Sequence, residues 1–179
     1  MVDIETFGTK PGSIILNIGA VAFDIETGKT GSIFSKDIDM KSSEKAGLTL
    51  DLDTVKWWLS QPKDAQKEIN QHKGGELKNV LIQFAMWIRD NCPNDVQVWG
   101  NSARFDFGII EAAYDVVGLE KPWNHFNERD VRTIVSFGKE IKDNMPFIGI
   151  KHYAIDDCKH QIKYCSEIYI QKIQNDKSL

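Results

Sequence analysis

The chain has 179 residues, 41% hydrophobic and 27% charged, close to the usage of ordinary globular domains. That length suits one hydrophobic core, so a single domain over residues 1–179 is expected. No apolar run approaches the roughly 18 residues of a membrane span, and no basic stretch leads into an apolar signal core, so the expected compartment is the cytosol. With 26 acidic against 22 basic residues the net charge is −4, which disfavours a phosphate-rich partner unless clustered carboxylates hold divalent cations that restore near-neutrality.

Met1 to Glu5 reads as a short strand ending in acids, followed by the turn signals Gly8, Pro11 and Gly12. Because this strand starts almost at residue 1, the natural chain is expected to extend a residue or two upstream. Ser13 to Asp24 carries Ile14, Ile15, Leu16, Ile18, Val21 and Phe23, and Ser32 to Ile38 alternates apolar with polar residues. Joined by the polar, glycine-containing link from Glu26 to Gly31, these runs predict an antiparallel three-stranded meander. Asp53 can cap a helix containing Val55, Trp57, Trp58 and Leu59, and Pro62 suits the first turn of the next. Leu77, Val80, Leu81, Phe84 and Ile88 form a helical stripe within Glu76 to Asn91, broken by Pro93-Asn94-Asp95. Val96 to Trp99 then predicts a buried strand, Phe105 to Val117 a helix ended by Gly118, and Val131 to Ile141 another helix. The last helix is expected from about Tyr153 to Gln174, with a frayed tail from Asn175 to Leu179. The thiols Cys92, Cys158 and Cys165 are odd in number and include no C-x-x-C pair, so they read as core residues and not as a disulfide framework.

Three features carry chemistry. Asp3 and Glu5 are two apart, which on a strand places both side chains on one face about 7 Å apart. Asp24/Glu26, Asp37/Asp39 and Asp51/Asp53 have the same spacing, so what distinguishes the first pair is its place at a strand end before the Thr6-Phe7-Gly8 turn. Trp99-Gly100-Asn101-Ser102-Ala103-Arg104-Phe105-Asp106 runs from a buried strand into a helix whose first turn holds an acid. Favourable charge at a helix N-terminus alone would account for Asp106; a third carboxylate delivered from a neighbouring strand end is the functional reading. In His152-Tyr153-Ala154-Ile155-Asp156-Asp157, an imidazole stands five residues before a carboxylate, the pairing a base needs to activate water beside a cation. Asp156 and Asp157 are both candidates for that carboxylate on the residues alone.

In that order, Asp3-Ile4-Glu5-Thr6, Asn101 to Asp106 and His152 to Asp157 resemble the three motifs of the DEDDh 3′→5′ exonucleases, within the RNase T/DnaQ-like superfamily. Thr54-Val55-Lys56-Trp57-Trp58-Leu59-Ser60-Gln61 and Arg129-Asp130-Val131-Arg132-Thr133 are similar to the dexA-type phage exonucleases and the related bacterial exoribonuclease-like domain. The resemblance implies an α/β, RNase H-like fold with a mixed five-stranded sheet flanked by helices, and a bacterial or phage source. It implies two Mg²⁺ or Mn²⁺ ions held by Asp3, Glu5, Asp106 and Asp157, with His152 as general base. The implied reaction is hydrolysis of single-stranded DNA or RNA from the 3′ end, releasing nucleoside 5′-monophosphates. A homodimer is also compatible with the resemblance.

For substrate contacts the candidates are Thr6, Phe7, Asn101, Phe105, Trp57 and Trp58, with Phe7 the first choice for stacking on the terminal base. Trp57 and Trp58 point about 100° apart on a helix, so one is expected in the core. Arg104, Arg129, Arg132, Lys151 and Lys159 are weaker candidates for phosphate contacts. Two other readings use the same residues: a phosphodiesterase restricted to short oligoribonucleotides, and a nucleic-acid-binding module without catalysis.

Overall fold

The computed structural model of the chain describes residues 1–70 and 74–174. Its first three strands form the expected antiparallel meander, β1 (Val2–Thr6), β2 (Ile15–Phe23) and β3 (Thr30–Asp37), with β2 in the middle. Alternation along β1 sends Val2 and Ile4 to one face and Asp3 and Glu5 to the other. The first face packs on helices α4 (Leu77–Asn91) and α5 (Ala103–Val116), where Phe34 meets Phe84 with ring centroids 5.0 Å apart. The second face is covered by α8 (Ala154–Ile168), which buries Ile155, Cys158 and Ile162 with Met1 and Val21. All three cysteines are free, and Cys158 and Cys165 are buried core thiols. No described helix is long and apolar enough to cross a membrane.

The other described α-helices are α1 (Met40–Lys45), α2 (Leu52–Ser60) and α3 (Lys63–Asn70), which precede α4, and α6 (Val131–Val135) and α7 (Lys139–Asn144), which lie between α5 and α8 in the chain. The fourth strand, β4 (Val98–Gly100), pairs in parallel with β5 (Glu128–Asp130), a strand too short and too charged to be marked by its own sequence. β4 lies beside β1, yet the ladders divide the five strands into an antiparallel three and a parallel two. β4 has only three residues, and the Ile4 backbone N–H lies against the Asp106 carboxyl, where it favours that group's charged form.

Several boundaries differ from expectation for local reasons. Asp51, not Asp53, caps α2: its Oδ1 accepts from the backbone N–H groups of Asp53 at 2.7 Å and Thr54 at 3.2 Å. The stretch from Val131 to Ile141 is two short helices, α6 and α7, because Gly138 leaves helical geometry at φ −160°. α8 passes into a wider π-type turn over Tyr169–Gln174. The expected frayed tail lies outside the described residues.

The contact that seats α8 is a glycine. A Cβ on Gly19 would stand 2.6 Å from the Ala154 Cβ and 3.0 Å from the Ala154 carbonyl carbon, so two small residues let the helix start lie directly on β2. Gly19→Ala is expected to cost about 1–3 kcal/mol through overpacking, lowering the melting temperature by roughly 2–12 °C. Thermal unfolding followed by circular dichroism checks this, and an unchanged melting temperature would refute so tight an approach.

Candidate active site

The three sequence motifs converge at the β1 edge of the meander. Beyond Glu5 the β1–β2 register shifts, and Thr6 turns the chain: its Oγ1 donates to the Gly8 carbonyl at 2.6 Å, while its own carbonyl accepts from the Trp58 Nε1–H at 2.9 Å. Asp106 comes from the first turn of α5 and is only 3% exposed, with Oδ2 lacking any hydrogen-bond partner. The start of α5 is anchored by Asp130, whose Oδ2 accepts from the Ala103 N–H at 2.9 Å and whose Oδ1 accepts from the Arg132 N–H at 2.8 Å. One carboxylate at the end of β5 therefore caps both α5 and α6.

The third motif separates its two acids. Asp156 Oδ2 accepts from the Ile150 N–H at 3.0 Å, closing the loop that precedes α8. Asp157 faces the cleft and accepts from the His152 backbone N–H at 2.8 Å. His152 adopts a left-handed φ of 65°, which carries its ring back over the cleft. There it meets Trp57 and Trp58 edge to face, at centroid distances of 5.0 Å and 6.0 Å. Glu5, His152 and Asp157 each offer a donor atom within 4.8 Å of the other two.

Glu5, His152 and Asp157 border a cleft of about 770 Å³, which the buried Asp106 does not line, and the volume is within the size range of small-ligand sites. Asp3, Thr6, Asn101 and Phe105 line it with Glu5, His152 and Asp157. Trp57 and Trp58 both reach it, but Trp58 is 1% exposed and pinned by its bond to Thr6, whereas Trp57 is 43% exposed. Phe7 is not brought to the cleft; its side chain packs against the core on the α4/α5 side. Arg104, Arg129, Arg132 and Lys159 do not line it, and Arg129 donates instead to the carbonyls of Phe126 and Glu128. Lys151 borders an adjoining hollow that also touches His152.

Of the cleft residues not read from the sequence as site residues, two bear on the chemistry. Lys10, in the turn after the first motif, is the basic side chain on the cleft wall among the described residues. Gln161 is 4% exposed and donates from Nε2 to Asp3 Oδ1 at 3.0 Å. Its signal was available, since it lies four residues after Asp157 and so on the same helical face.

Residues 1–169 match the family described as the 3′-5′ exoribonuclease Rv2179c-like domain. The chain belongs to this family. It is also 25% identical to the exodeoxyribonuclease of Enterobacteria phage T4 over 195 residues, covering 90% of this chain and 85% of the relative. Its fold is shared with the cell-death related nuclease 4 (CRN-4), at a TM-score of 0.56 and 16% identity, over 93% of this chain and 62% of that one. The chain thus spans less than two thirds of that nuclease.

The acids of this exonuclease strain against each other. Burial, the nearby Asp157 charge and only partial relief from the Gln161 hydrogen bond raise the Asp3 carboxyl from 3.8 to about 7. Burial also lifts Glu5 well above the ordinary range, reinforced by Asp3, Asp157 and Asp106. Asp106 is raised by burial and by Asp3, against hydrogen bonds from the Ile4 and Asp106 N–H groups. Asp157 is raised mainly by burial. Among the described residues none of the four is ion-paired with Lys or Arg. Glu5 and Asp157 offer oxygen donors within 4.8 Å of each other, and with the unpartnered buried Asp106 Oδ2 this donor chemistry fits a divalent cation of the Mg²⁺ or Mn²⁺ type.

The pH dependence follows from Asp3. A folded-state pKa of about 7 against an ordinary 3.8 means the folded chain binds this proton more tightly than the unfolded chain. The contribution of Asp3 to stability is therefore fully present below the ordinary carboxylate range and is lost as pH rises through about 7. In EDTA, the melting temperature is expected to drop by several degrees between about pH 5 and pH 8, and Asp3→Asn to flatten that drop. Melts that rise across this range would contradict the crowding of these acids.

Proposed function

We propose that the protein is a metal-dependent 3′→5′ exonuclease that shortens single-stranded nucleic acid from its 3′ end and releases nucleoside 5′-monophosphates. The observation that carries this reading is the convergence of Asp3, Glu5, His152 and Asp157 on one cleft, with the buried Asp106 carboxyl close enough to raise the Glu5 pKa and to be raised in turn by Asp3. In this reading Asp3, Glu5, Asp106 and Asp157 hold two divalent cations. When bound, such ions supply the Lewis acidity that in-line attack on a phosphodiester and departure of the 3′-oxygen require.

The chain's own groups perform the remaining tasks. His152 accepts the proton of the attacking water at a ring nitrogen, acting as general base. The Trp57 and Trp58 edges hold that imidazole over the cleft, and Asp157 holds its backbone. The exposed Trp57 offers the aromatic surface for the terminal base, in place of the core-packed Phe7, and a stacking surface tolerates any base. Lys10 is placed on the cleft wall to meet a phosphate oxygen. Either sugar is compatible with this reading: the family is described by exoribonuclease activity and the phage relative by exodeoxyribonuclease activity.

The test uses matched single-stranded DNA and RNA labelled at the 5′ end, incubated with Mg²⁺, Mn²⁺ or EDTA. A ladder shortening from the 3′ end and abolished by EDTA is expected, and its rate on the two substrates ranks the sugars. His152→Ala should lower kcat by roughly 10²–10⁴-fold. An Asp106→Ala variant that kept nuclease activity would overturn the assignment.

A further inference from the structure

Gln161 occupies a position where the helix pattern calls for an apolar residue. It lies on the buried face of α8 with Ile162, Cys165 and Cys158, and is itself 4% exposed. One end of its amide is used, with Nε2 donating to Asp3 Oδ1 at 3.0 Å. The other is not, because Oε1 is buried without a hydrogen-bond partner. Burying a half-satisfied amide costs stability that leucine or methionine would not. A polar group retained against that cost, and bonded to a carboxylate of the cleft, points to a task at the site.

We infer that Gln161 is a positioning residue for Asp3, fixing the rotamer of that carboxylate so that its remaining lone pairs face the divalent cation. The inference rests on the reading of the cleft as a cation site. An amide suits the task chemically. It donates a hydrogen bond without bringing a positive charge, so it orients the carboxylate without competing for the cation as an ammonium or guanidinium would. Ligating carboxylates elsewhere are held by such outer partners, whose loss weakens metal affinity about 10–100-fold. Spacing supports the pairing, since Asp157 and Gln161 are one turn apart on α8 and address the cleft from the same face.

The full-length chain and its Gln161→Met variant, similar in length and without the donor, are compared by Mn²⁺ titration calorimetry and by melting in EDTA. The variant is expected to melt in EDTA at or above the wild-type temperature, yet to need about 10-fold or more Mn²⁺ for half-saturation. At limiting Mn²⁺ its kcat should fall while KM for a single-stranded oligonucleotide stays near the wild-type value. Unchanged Mn²⁺ affinity in the variant, beside clear wild-type binding, overturns the role of Gln161 and leaves the cation reading standing. A wild-type chain that binds no Mn²⁺ overturns both. If the variant fails to fold, the wild-type side-chain amide resonance of Gln161 decides. A shift on adding Mg²⁺, with slow exchange retained, supports the role, and an unmoved resonance overturns it.

Discussion

Desolvation of four carboxylates brought to one site, sharpened by like-charge repulsion among them, is the constraint around which this fold is arranged. Asp3 and Glu5 arrive on β1, Asp106 on α5 and Asp157 on α8, and burial lifts the pKa of every one of them. Within the cleft only the Gln161 amide and the His152 backbone N–H are seen to hold these acids among the described residues, so most of the work falls to the surrounding structure. Three contacts distribute that work. Gly19 and Ala154 let α8 press on β2, Asp130 anchors the start of α5, and Trp58 ties α2 to the turn at Thr6. Each joins an element that carries an acid, or closes the cleft, to the body of the fold. A cation placed among the four carboxylates would turn the repulsion into attraction, and the cost of holding the site open would become binding energy.

The segment before α8 shows how backbone conformation serves the same end. Gly149 takes φ 122°, and a Cβ there would fall 2.4 Å from Asp156 Oδ2, so the turn requires glycine. His152 follows at φ 65°, a region histidine enters more readily than bulkier residues. Asp156 and Asp157 then divide their duties by direction, one closing the loop at Ile150 and the other facing the cleft. A mutation at either acid would disturb the histidine, through loop shape in the first case and through its backbone N–H in the second.

Much of this was legible in the sequence, because strand periodicity and caps are local. The meander, the α4 stripe and the Gly118 stop follow from patterns a few residues long. The acid pairs show where local reasoning stops. Asp24 caps a turn through Glu26, Asp39 caps α1 and Asp51 caps α2, so each spacing that mimics Asp3/Glu5 has a structural use that spacing cannot reveal. Phe7 stood in the right motif but turned inward, since the chain reverses at Gly8 and the core offered more apolar contact than the cleft. β5 was illegible for the opposite reason: Glu128–Asp130 is charged and brief, and only the neighbouring β4 makes it a strand. Gln161 is the instructive miss, because a helical stripe is read for apolar residues and a buried amide within it passes as an exception.

Net charge, the most global of the sequence quantities, was the least informative about the site. The value of −4 argues against a polyanionic partner only if charge is spread evenly, and here it is not. Asp51 and Asp53 stand at the α2 side of the cleft and the carboxylate group lies at its floor, leaving Lys10 as the described basic residue on the wall. A phosphate chain cannot enter such a cleft on electrostatics alone. On the proposed reading, entry would depend on an aromatic face that is indifferent to charge, which the half-exposed Trp57 could provide, and on cations that would reverse the sign of the cleft. The carboxylates that make the protein acidic are therefore the same groups that, once loaded, would make its cleft attractive to phosphate.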